Sequence, residues 1–110
     1  MITGLTDNRI ERALSYLKST DASHAEARSQ VDYLELKKKT IEAAAFLDAP
    51  EGTVAEKQAY VYTTQAYKDH CEEYKQAVLE YQRITNERNR EIQVIEVWRT
   101  VNANQRKGNI

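Results

Sequence analysis

With 110 residues, 41% of them apolar and 30% charged, the chain has material for one domain with a real but modest core. A net charge of −1 excludes a polycation suited as a whole to nucleic acid or membrane surfaces, and a single cysteine, Cys71, excludes an internal disulfide and fits a reducing compartment. No apolar run approaches the roughly 20 residues of a membrane span, and three glycines and one proline favour long helices over sheet.

In chain order, the opening Met1-Ile2-Thr3-Gly4-Leu5-Thr6-Asp7 lacks the basic and apolar regions of a secretion signal, so a cytoplasmic location is expected. Thr6 is a good helix cap, with Asp7 where a negative charge complements the helix dipole. Ile10, Ala13, Leu14 and Leu17 follow at helical spacing, which predicts a first helix over about residues 7–20. The polar run Ser19-Thr20-Asp21 is expected to end it. Ser23 with Glu26 then forms a capping-box pattern for a second helix, about 23–48. Its inward stripe is Ala27, Val31, Leu34, Lys38, Ile41 and Ala45, on which Lys38 is the misfit, best explained by its ammonium reaching back to water.

Asp48-Ala49-Pro50-Glu51-Gly52 is the strongest break in the chain. Thr53 with Glu56 restarts helix over about 53–62. The run Tyr60-Val61-Tyr62-Thr63-Thr64 has strand-like composition, but nothing else in the sequence offers a strand to pair with it. It is read as helix or as a kink recapped by Thr63 or Thr64. From there to about residue 105 neither Gly nor Pro intervenes, and Gly108 is a plausible stop.

On that long segment Tyr60, Tyr67, Tyr74 and Tyr81 recur every seventh residue, and the register continues through Arg88, Ile95 and Asn102. The companion line is taken as Thr64, Cys71, Val78, Thr85, Ile92 and Arg99, with Ile84 and Trp98 one residue off it. The fold class is therefore all-α: an antiparallel helical hairpin or small bundle with one long coiled-coil-like C-terminal helix, forming a single domain over 1–110. A helix over 64–105 is roughly 60 Å long, and a partner over 23–48 covers only about 40 Å of it. Ile92, Ile95, Trp98 and Val101 are thus the candidates for self-association, unless the first helix covers them, and a homo-oligomer is expected.

Candidate sites are few. The tyrosine ladder suits seam packing better than base stacking, because it lies in the acidic part of the chain. Residues 83–110 carry six Lys/Arg against three Asp/Glu, but Glu87, Glu91 and Glu96 lie at spacings that allow intrahelical pairing. Arg99, Arg106 and Lys107 have no acidic residue shortly after them, so they are the candidates for nucleic-acid contact; their place near the helix C-terminus also suits the dipole. Arg88 falls on the inward register, its role open between a buried charge that fixes register and a side chain that reaches water. His24 and His70 are expected on the helix surface. There is no Gly-rich phosphate loop, paired-cysteine zinc pattern, nucleophile elbow or paired Glu-x-x-His motif. No catalytic, metal-ligating or cofactor-binding residue is expected, and no cofactor.

The stretch Ile95-Glu96-Val97-Trp98-Arg99-Thr100-Val101-Asn102-Ala103-Asn104-Gln105-Arg106-Lys107-Gly108 resembles the ending of certain small tailed-phage and prophage proteins. Gly52-Thr53-Val54-Ala55-Glu56, Ala66-Tyr67 and Glu80-Tyr81 resemble them too, so the likeness spans roughly the second half of the chain. It implies a phage-encoded accessory of DNA replication or recombination and supplies no site residue. The expected function is that of a non-enzymatic helical adaptor acting through a protein partner, with weak nucleic-acid binding as the alternative.

Overall fold

The computed structural model describes residues 6–108. They form three helices, α1 (Asp7–Leu47), α2 (Val54–Val61) and α3 (Gln65–Gly108), and the described residues contain no strand. The all-α hairpin with a long last helix is thereby established. The secretion-signal reading concerns residues 1–7, of which 1–5 lie outside the described residues.

Local chemistry accounts for the ends of the helices. Thr6 caps α1, its Oγ1 accepting from the Arg9 amide at 3.1 Å. Pro50 lies in the break that follows Leu47, and Thr53 caps α2 by accepting from the Glu56 amide at 3.1 Å. The Glu56 carboxylate accepts in turn from the Thr53 hydroxyl, a variant of the capping box, whose standard form has the carboxylate reach the backbone amide of the cap residue. α2 ends at Val61, and the strand-like run becomes a turn there. Thr64 recaps, receiving the Tyr67 amide on its hydroxyl at 3.3 Å.

The expected interruption at residues 19–21 does not occur: α1 is one helix of 41 residues, and the Ser23–Glu26 pair lies inside it. The reason is a register that never breaks. Ile10, Ala13, Leu17, Thr20, His24, Ala27, Val31 and Leu34 alternate by three and four, and every one is buried or half-buried. Polar Thr20 sits on this seam with its hydroxyl bonded to the Tyr16 carbonyl at 2.7 Å, so it continues the helix instead of capping it. α3 likewise runs unbroken for 44 residues, matching the single rod expected.

The tyrosine line of α3 is placed as expected over Tyr67, Tyr74 and Tyr81, all half-buried, while its first member, half-buried Tyr60, lies on α2 beyond the turn. Its companion line is met in part, with Thr64, Val78 and Thr85 half-buried, but the most buried positions fall one residue earlier. His70 and Ile84 are the buried partners, 5% and 7% exposed, with Ala77, Glu91 and Trp98 half-buried, whereas Cys71 and Arg99 face water. Two companion lines are open to any helix seam, at plus three and at plus four, and tertiary packing selects the first here.

Contacts divide the chain into two units: the residues up to Ala25 together with those from Gln82 on, and Glu26–Tyr81. In each, α1 and α3 run antiparallel. The first unit has Ile10, Ala13 and Ile84 as its buried apolar residues; the second has Leu34, Ala45 and Val61, with α2 closing its turn.

Candidate functional site

In the first unit several cross-helix links are polar. Arg9 Nη2 donates to Glu91 Oε1 at 2.9 Å and also reaches Oε2. Tyr16 donates to Glu87 Oε2 at 2.6 Å, while Arg83 donates to Oε1 of the same carboxylate at 3.1 Å. The Tyr16 hydroxyl, with the Arg83 charge, holds the Glu87 carboxyl below the usual carboxylate range against the opposing effect of burial. The same hydrogen bond, with burial, raises the Tyr16 phenol. His24 Nε2 lies 2.9 Å from Thr85 Oγ1.

Arg88 resolves the choice left open by its register. Its side chain is 15% exposed, and Nη1 donates to the Leu17 carbonyl and to Thr20 Oγ1, both at 2.8 Å, with Asp21 3.5 Å from Nη2. It is an inward cation held by a helix carbonyl and a seam hydroxyl. Lys38, by contrast, is exposed and reaches Glu42 at 3.9 Å, as expected of a side chain turned to water. Arg88 was already placed on the inward register by the sequence, whereas the inward roles of Thr20, His24 and Glu91 escaped it although all three stand on three-and-four seam positions. That placement was the available signal.

The second unit corrects the reading of the histidines. His70 is buried, and its Nε2 lies 2.7 Å from the Leu34 carbonyl. Because a carbonyl only accepts, Nε2 carries the proton. The ring stacks on Tyr74 at 6.4 Å, and Tyr74 donates to Glu35 at 2.7 Å. A shallow groove beside them is lined by Glu35, Lys38, Tyr67, His70, Cys71 and Tyr74. Hydrogen bonding to Cys71 raises the Tyr67 phenol above its ordinary value. His70 is engaged in holding α3 to α1, and among the described residues no group of three or more His, Cys, Asp or Glu is placed to hold a metal ion.

The distal part of α3 is where most of the sequence-derived candidates meet. Arg9 is level with Glu91, so α3 continues roughly 20 Å past the first residue of α1 before Gly108. α1 thus covers more of α3 than a helix beginning at residue 23 could. Ile92 is 41% exposed and turned off the seam, while Ile95, Trp98 and Val101 are half-buried. Trp98, Arg99, Asn102, Gln105 and Arg106 together line one shallow concavity. The structure thus brings one self-association candidate, Trp98, together with two nucleic-acid candidates, Arg99 and Arg106. Lys107 is exposed and does not line the concavity. Arg99 does have an acidic neighbour, on its N-terminal side, where Glu96 Oε1 lies 3.5 Å away.

The arrangement offers an aromatic face, two guanidinium groups and two side-chain amides on one side of a helix. None of the helices is long and apolar enough to cross a membrane, among the described residues. Comparison with models of protein families, with curated proteins and with solved structures finds no match.

Proposed function

We propose that this chain is a non-enzymatic helical adaptor that grips a protein partner with the distal end of α3. The observation that carries this reading is the patch of Trp98, Arg99, Asn102, Gln105 and Arg106 on a segment that outruns the first residue of α1. Trp and Arg are the side chains that most often anchor interfaces, because each buries a large area and offers directional donors at its tip. The pair of guanidinium groups suits a partner segment bearing carboxylates. A phage-encoded accessory of DNA replication or recombination is the setting to which the resemblance of residues 95–108 lends support.

The test is capture of partners from the native host by the full chain, compared with its Trp98→Ala variant. Proteins retained by the parent and lost by the variant support the adaptor. Equal recovery by both removes the distal patch from the reading.

The same patch favours a second reading, single-stranded nucleic acid, with Trp98 stacking on a base and Arg99, Arg106 and the nearby Lys107 meeting phosphates. It predicts binding to an oligonucleotide that weakens steeply with salt, and that loses slope on Arg99→Ala and Arg106→Ala. Absence of binding at low salt rejects it.

A further inference from the structure

α1 carries a second stripe on the far side from Leu34. Tyr33, Leu36, Thr40, Ala43 and Leu47 alternate by three, four, three and four, the spacing of a helix that packs on another helix. All five face water: Tyr33 is 55% exposed, Leu36 77% and Leu47 83%. Exposed leucines are ordinary one at a time, but five seam-spaced positions in a row make a continuous exposed stripe, at whose edge Ala43 also lines a groove with Gln58 and Val61 of α2.

We propose that this stripe is the surface through which two copies of the chain pair, with their α1 helices antiparallel. The self-complementarity of the stripe identifies the occupant. When Leu36 is set opposite the second copy's Leu47, Thr40 falls opposite its Ala43, and two-fold symmetry repeats both layers. The bulky layers then lie at the ends and the small ones between them, which lets the two backbones approach closely. Charge agrees with shape. Lys37 stands at one edge of the stripe, its Nζ 5.8 Å from the centre of the Tyr33 ring. Asp48 follows on the same edge, held at the helix end by a bond from its amide to the Ala44 carbonyl. In the antiparallel register Lys37 and the second copy's Asp48 differ in level by only two residues, about 3 Å, and the pair forms twice. On the other edge each Lys39 is about 7 Å along the axis from its counterpart, so like charges are kept apart.

The stripe is about 20 Å long, short for a helix-pairing surface, so the pairing is a reversible one that depends on concentration. It uses none of the residues of the Trp98 patch, and so goes beyond the adaptor reading without depending on it.

Sedimentation of the full chain across the micromolar range is the test, with helical circular dichroism as the control for folding. The parent should pass from monomer to dimer as concentration rises. Leu36→Glu combined with Leu47→Glu should stay monomeric with an unchanged helical signal, since both positions are exposed. Lys37→Glu should weaken dimerisation at least several-fold, and adding Asp48→Lys should restore it. Trp98→Ala should leave it unaltered. A parent that remains monomeric, a species larger than a dimer, or a dimer dispersed by Trp98→Ala but not by the paired leucine variant each overturns the proposal.

Discussion

The two units join the same pair of helices with different chemistry. In the first, charged and hydroxyl side chains bond across the helices around a core of Ile10, Ala13 and Ile84. In the second, Leu34 and His70 are buried against one another's helices, and hydrogen bonds from His70 and Tyr74 cross between them. Seam spacing is identical in both. Each unit buries three apolar residues, and in the first the added charged bonds also fix which residues stand opposite.

The comparison is most exposed to failure at Leu34, which is 1% accessible. Leu34→Ala should destabilise the chain by about 2–5 kcal/mol in urea unfolding, through lost burial and the cavity left behind. A loss below about 1 kcal/mol would mean the second unit is not held by burial. Arg88→Ala should come next, at about 1.5–3 kcal/mol, because it removes charge-assisted bonds to a carbonyl and a hydroxyl. Arg88→Met, of similar length, should recover part of that loss, and full recovery would show that the cation contributes packing alone. His70→Leu should cost about 1 kcal/mol, the usual worth of one neutral hydrogen bond.

Tyr16→Phe sharpens the contrast through pH. The Glu87 carboxyl is depressed in the folded chain, so its contribution is present above the usual carboxylate range and disappears as pH falls through its lowered value. The Tyr16 phenol is raised, so its contribution is present below the usual phenol range and disappears as pH rises through the raised value. The parent should therefore exceed Tyr16→Phe in stability near neutrality, and the gap should close at both extremes. A gap independent of pH would sever the Tyr16–Glu87 link from stability. Smallest of all, Glu96→Ala should shift stability by no more than about 0.5 kcal/mol, because the Glu96–Arg99 pair is exposed.

Particular residues show where sequence reading succeeds and where it stops. Thr6, Thr53 and Thr64 were legible as caps because a cap is a bond between residues three apart. The tyrosine line was legible from its seven-residue repeat, and the reach of α3 from the absence of Gly and Pro. The break at Ser19-Thr20-Asp21 was misjudged by local composition, since Thr20 and His24 continue the three-and-four register that the apolar residues begin. Of the distal patch, Trp98, Arg99 and Arg106 were singled out separately. That they share one concavity with Asn102 and Gln105 follows from their one-turn spacing once α3 is known to be continuous.

The amino-acid order by itself determined the all-helical state, the turn around Pro50, the caps and the line of tyrosines, because each is settled by groups within a turn or two of one another. Only the tertiary structure decided that His70 rather than Cys71 turns inward, that Arg88 finds a carbonyl and a hydroxyl, and that Tyr33, Leu36 and Leu47 are left facing water. Those outcomes depend on which side of each helix meets a neighbour distant in the chain, and a helix offers more than one side on which three-and-four spacing is satisfied.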